Sequence, residues 1–182
     1  MGPSTRLVPG LPAGGNVARA IAAMHRVLAA IGWDASEGEA SADPSSLRVV
    51  VDFGPPHRPI ADAVMAIEPE AQCFVASFNF GGTADASTRD EVARFAARAN
   101  WELLAGNFEL DLESGAVRFR SSVPFGGGEL PPSIIRGVIR TAMQVVEAYA
   151  EALVDVMDGH TGADEALERV WRAAAGRVDG DA

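Results

Sequence analysis

Residues Ala99–Val123 read ANWELLAGNFELDLESGAVRFRSSV, and their pattern decides the fold. Apolar residues at helical spacing run up to Gly106, a residue type that ends helices because left-handed backbone costs it nothing. Two alternating segments follow, with Phe108, Leu110 and Leu112 on one side and Val117, Phe119 and Ser121 on the matching side. With Ser114-Gly115 as a two-residue turn, Leu112 faces Val117 and Leu110 faces Phe119, while Asp111 faces Arg118 and Glu109 faces Arg120. A slip of one residue sets apolar side chains against charges, so the alternation excludes it. Opposite charges across a ladder contribute about 0.2–1 kcal/mol each, enough to explain the cluster as part of the sheet. Glu109 and Asp111 have the spacing of paired glycosidase carboxylates. Arginines opposite hold both ionised, which is wrong for a general acid.

Outward from this hairpin the periodicities continue. Upstream, Val17, Ile21, Met24, Leu28 and Ile31 recur at helical spacing between Asn16, an expected N-cap, and Gly32. LRVVVDF (47–53), IADAVMAIE (60–68) and QCFVASFNF (72–80) read as strands, the last two joined by the turn PEA. Phe74, Phe78 and Phe80 share a face that should meet a helix. Thr88 with Glu91 fits a capping box opening a helix whose stripe is Val92, Phe95, Ala96, Ala99 and Leu103. After the hairpin, Pro131 opens a long helix lined by Ile135, Val138, Ile139, Ala142, Val146, Tyr149, Leu153 and Val156, and Gly159 closes it. A short helix, about Ala163 to Ala174, carries Leu167, Val170 and Trp171 on one face.

The order α-β-β-β-α-β-β-α plus a short C-terminal helix makes an α+β fold. Short turns pair strands antiparallel, so the expectation is an antiparallel sheet of about five strands covered by helices. Residues 1–15 read as a flexible arm, 16–159 as the domain, and 160–182 as the short helix and tail.

With 182 residues, a chain buries roughly 70% of its unfolded surface and needs no disulfide or metal to fold. The single Cys73 lies in an apolar run and reads as a buried, inert thiol. Net charge is −10, and all 15 basic residues are arginine. Without lysine there is no Schiff-base or phosphate-loop amine, and the acidic balance argues against nucleic acid. The proline-broken N-terminus lacks the apolar core of a signal peptide, and no apolar run is long enough for a membrane helix, so the chain reads as cytoplasmic. His25, His57 and His160 are scattered, with no ligand at metal-binding spacing. FGGGELPPS (125–133) lacks a phosphate-loop motif, and Glu129 would repel a phosphate. No catalytic residue, metal or cofactor is expected.

Asn100, Gly106, Phe108, Leu110, Asp111, Gly115, Val117 and Arg120, followed by the long amphipathic helix, resemble the YbjN-like proteins, also called bacterial sensory transduction regulators. The fold of that family is similar to that of type III secretion chaperones. The resemblance implies a small, acidic, non-enzymatic protein, often dimeric, that binds protein segments. Asn100 also has a plainer reading, since an amide near a helix end can bond backbone groups.

The functional expectation is therefore a non-enzymatic protein-binding module, chaperone-like or regulatory, with no nucleic-acid or membrane partner. The alternative is a small-molecule binder or enzyme with a pocket between sheet and long helix. Leu47, Val49, Val51 and Phe53 form an expected edge strand to which a partner segment adds. Along the long helix Arg136, Arg140, Gln144, Glu147, Glu151 and Asp155 place positive charge first and negative last, against the helix dipole. Two antiparallel copies would pair these charges, so a homodimer through this face is expected.

Overall fold

The structure, a computed structural model, describes residues 15–33, 48–53 and 59–178. The chain runs α1 (Gly15–Ala30), β1 (Arg48–Asp52), β2 (Ile60–Glu68), β3 (Cys73–Phe80), α2 (Arg89–Glu102), β4 (Asn107–Leu110), β5 (Val117–Pro124), α3 (Pro132–Met157) and α4 (Ala163–Val178). This is the α+β order expected. The five strands form one antiparallel sheet in the order β1-β2-β3-β5-β4. Leu47, the histidine His57 and the arm ahead of Gly15 lie outside the described residues.

Period-2 alternation sorts each strand into two faces. Val49, Met65, Phe74, Phe78 and Phe119 turn inward and are buried against the apolar stripes of α1, α2 and α3. α4 packs on α2 and α3, and its Ala163, Ala166 and Leu167 are fully buried. It is a full helix of 16 residues rather than the short one expected. Among the described residues no helix is long and apolar enough to cross a membrane.

Phe108 sits at the middle of the core. Its ring centroid lies 5.0 Å from that of Phe119, 5.6 Å from Tyr149 and 6.0 Å from Phe95. Its backbone is held from the other side: Phe108 N–H donates to Asn100 Oδ1 at 2.8 Å, and Asn100 Nδ2 donates to Phe108 O at 3.0 Å. The carboxamide thus closes the outer edge of β4 as a sixth strand would. Gly106 makes the approach feasible, since with φ +77 a Cβ there would lie 2.4 Å from the Phe119 ring.

Four local expectations are corrected. The hairpin pairs Leu110 with Val117, Phe108 with Phe119 and Glu109 with Arg118, two residues from the expected register. The turn is longer than Ser114-Gly115: Asp111 N–H bonds Ala116 O, Gly115 N–H bonds Asp111 O, and the Asp111 carboxylate takes the Ser114 hydroxyl and the Glu113 amide. Leu112 consequently lies in the loop, 65% exposed, and Asp111 does not meet Arg118. A two-residue shift keeps every side chain on its own face, so alternation alone could not detect it.

The capping box at Thr88 and Glu91 does not form. Thr88 is the N-cap without a side-chain cap bond; its hydroxyl donates to Met157 O at 3.0 Å. Glu91 instead accepts the Ala163 N–H at 2.8 Å, so it caps α4. Both residues tie helices together instead of closing their own. Asn16 is inside α1 rather than at its cap, with its amide 3.4 Å from Gln72 Oε1. Cys73 is half-buried and on the outer face of β3, because alternation turns it opposite to Phe74.

Replacing Asn100 tests the edge closure. Asn100→Ala strands a donor and an acceptor of Phe108, and Asn100→Asp keeps the acceptor but sets a carboxylate against the Phe108 carbonyl. Each is expected to cost about 1–3 kcal/mol, read as a lower urea midpoint at unchanged slope. A cost below about 0.5 kcal/mol for both would show that the edge is held by something else.

Candidate functional site: the open face and edge of the sheet

Inward-facing residues account for the core, so the other face of the sheet is left with no helix against it among the described residues. The registers lay its side chains out in rows. Arg120 of β5 is beside Ser77 of β3, which is beside Val64 of β2 and then Val50 of β1. The next row runs Ser122, Val75, Ala66, Arg48, and the row on the other side begins Arg118, Asn79, Asp62. The centre is therefore small and apolar, and Ala66 and Ser77 lie low between longer neighbours, 8% and 7% exposed. Of these, Arg48, Val64, Ala66, Val75, Ser77, Asn79, Arg118 and Arg120 line a trough of about 850 Å³.

The charges stand at its lip. Glu109 faces Arg118 directly and Arg120 diagonally, the two neighbours within reach across an antiparallel pair. Arg118 grips Glu109 Oε2 through Nε and Nη2, each at 2.6 Å, and Arg120 grips Oε1 through Nε and Nη2, each at 2.8 Å. Asn107 Nδ2 adds a bond of 3.0 Å to Oε1. Burial pushes the Glu109 carboxyl up, but the bonds from Asn107 and Arg118 and the charges of Arg118 and Arg120 outweigh it, leaving it below its usual 4.5. The Ser114 hydroxyl and the Glu113 amide likewise lower Asp111. Glu109 is held ionised by arginines, as the sequence implied, whereas Asp111 is held by its own turn instead of by an arginine across the ladder, and neither is suited to proton donation.

Each edge of the sheet is different. Asn100 closes β4, whereas β1 pairs with β2 alone among the described residues. Phe53 N–H bonds Ala61 O, and by alternation the backbone groups of Val50 point away from β2. Of the expected edge residues, Val49 is buried beneath the sheet and Val51 and Phe53 are half-buried, so their side chains serve the core while the backbone forms the edge.

On α3, Arg136, Arg140, Gln144, Glu147 and Glu151 form an exposed ridge. Asp155 is half-buried and already engaged, 2.8 Å from Arg169 of α4 and 3.8 Å from His160. The space between sheet and α3 is filled by side chains, so the trough lies opposite to where a ligand pocket was expected. No group of three potential metal ligands occurs among the described residues. The trough itself was missed by sequence reasoning, although a signal existed: VMAI (64–67) and CFVAS (73–77) are apolar on both faces, as strands covered on both sides are.

A family model named YbjN, described as "Putative bacterial sensory transduction regulator", matches residues 21–155. Among solved structures, YbjN from E. coli has a TM-score of 0.52 at 12% identity, covering 74% of this chain and 87% of that one. A chain of the ExsC-ExsE complex has a TM-score of 0.51 at 12% identity, covering 75% and 95%. A chain of the HopA1-SchA chaperone-effector complex has a TM-score of 0.50 at 8% identity, covering 77% and 99%. At these identities the likeness concerns the fold. No curated protein sequence matches the chain.

Because its folded pKa is lowered, Glu109 contributes stability that is present above pH 4.5 and lost as pH falls through the folded value. Glu109→Gln is therefore expected to unfold at lower urea than the parent at pH 7, with the gap shrinking as pH drops below about 4.5. A gap constant from pH 7 to pH 3 would show that the pair adds nothing through its charge.

Proposed function

Since the chain belongs to the YbjN family of bacterial sensory transduction regulators, we propose that it is a non-enzymatic protein-binding module, chaperone-like or regulatory in its action. The observation that carries this reading is the asymmetry of the sheet: one edge is closed by Asn100 and the other, β1, is open among the described residues. An open edge takes an extended segment by backbone hydrogen bonds. Two folds similar to this one occur in complexes with another polypeptide, one of them a chaperone with its effector. The partner is a protein segment, met in the cytosol.

Val50→Pro tests the edge directly, because proline is tolerated on an edge strand yet removes the outward donor. Affinity capture from native cytosol is expected to yield one stoichiometric polypeptide with the parent and none with Val50→Pro, whose circular dichroism stays unchanged. Equal capture by both would remove β1 from the reading.

The finer proposal is a homodimer through the α3 ridge. Antiparallel copies bring Arg140 toward Glu151 and Gln144 toward Glu147 of the second copy, while Arg136 competes with Arg169 for Asp155. Exposed pairs supply only about 0–1 kcal/mol each, so the charges fix register and orientation more than affinity. Sedimentation is expected to show twice the 19.0 kDa chain mass and a monomer after Arg136→Glu/Arg140→Glu. An unchanged mass would exclude the ridge.

A further inference from the structure

We infer that the trough on the open face of the sheet binds an extended partner segment in which apolar side chains alternate with acidic ones, the acids meeting Arg118 and Arg120. The inference rests on the protein-binding reading and names the chemistry of the segment at a surface separate from the β1 edge.

Three observations converge on it. First, the floor is apolar where a solvated sheet face would be polar. Val64 and Ala66 on β2 and Val75 on β3 point outward, with Val50 continuing the row toward β1. Val50, Val64 and Val75 are half-buried and Ala66 is 8% exposed, so the floor is a narrow recessed apolar strip, wide enough for the side chains of one segment and flanked by the arginines.

Second, the spacing suits polypeptide. Outward residues recur at every second position of a strand, about 6.8 Å apart. An extended segment lying along the strands presents its own side chains at the same interval. Lying over β3, such a segment turns alternate side chains to either side, apolar ones toward Val64 and Ala66 of β2 and acidic ones toward Arg118 and Arg120 of β5, themselves two positions apart.

Third, the lip has unbalanced charge. Two guanidiniums share the single carboxylate of Glu109, each through Nε and Nη2. Among the described residues neither Nη1 group has an acceptor, so each arginine retains donors for a second carboxylate. Asp111 does not supply it, since its oxygens are held by Ser114 and Glu113 within the turn. Glu68 pairs in register with Cys73, at the far end of the strands from Arg118. Glu109 also holds both guanidinium planes in place before a partner arrives, which lowers the ordering cost of binding. A basic segment would face Arg118 and Arg120 at close range. Nucleic acid fits poorly, because the chain carries −10 overall.

The test is selection of a random decapeptide phage library on the full-length protein, followed by fluorescence anisotropy of the enriched peptides. The expected sequences alternate Leu, Ile, Val or Phe with Asp or Glu. Their affinity should fall about tenfold or more for Arg118→Gln/Arg120→Gln and for Val75→Asp, and should weaken with salt. Both variants must keep the parent's cooperative thermal unfolding; Arg120→Gln alone, which leaves Arg118 on Glu109, gives an intermediate loss if the double variant unfolds. Enriched peptides that are basic, that bind all variants equally, or that fail to enrich at all would overturn the proposal. So would a dimer in sedimentation that Val75→Asp alone dissolves, which would give the face to a second copy. Capture that still depends on Val50 after such a failure would leave the edge reading standing, so the two stand or fall separately.

Discussion

The fold depends on how one residue, Phe108, is held from two sides. Its ring is surrounded by Phe95, Phe119 and Tyr149, and its backbone donor and acceptor are both taken by the Asn100 carboxamide. Without that carboxamide the outer groups of β4 would need water or another strand, and α2 would lose its polar link to the sheet. With it, α2 and β4 are joined across a short connection, residues 103–106, of which Leu103 also packs against the core. Gly106 and Gly115 serve the same closeness. A Cβ on Gly115 would stand 2.2 Å from the Ala84 carbonyl, which is where the hairpin loop is bonded to the loop before α2.

What could be read from the sequence follows from what each pattern encodes. Alternation encodes the face of a residue, and the faces of Phe108, Val117, Phe119 and the β3 phenylalanines were all legible. Register is encoded by the turn, and there the reading failed by two residues. Asp111 followed by Ser114-Gly115 is a side-chain-capped turn, a signal outweighed by the simpler Ser-Gly hairpin. Thr88 and Glu91 show a different limit. Their spacing matches a capping box, but the nearby ends of α3 and α4 compete for the same oxygens, and only the fold brings those ends close. Cys73 was misjudged by taking an apolar run as buried on both sides, when it was buried on one.

That last error bears on function. An apolar run in a strand means cover on both faces, and in β2 and β3 only the inner cover is seen among the described residues. The site's charges were legible as ion pairs, yet their imbalance was not. Two arginines on one carboxylate appear only when the loop sets Glu109 opposite Arg118 and leaves Arg120 on the diagonal.

The two faces also separate two kinds of constraint. Phe74, Ala76 and Phe78 are buried, and truncating such a phenylalanine removes about 3–5 kcal/mol. Val75, between them in sequence, faces the trough, and Asn79 donates to Asp62 on the same outer face. Adjacent residues of one strand are therefore constrained differently, one by the core and the next by the open face. An open-faced sheet permits this because the helices on the inner side hold the strands in place without the outer side. The edge strand β1 combines both demands in a single segment: Val49 anchors it to the core while the backbone of Val50 faces outward. A surface built this way can change its specificity by substitution at alternate positions without disturbing the aromatic cluster around Phe108.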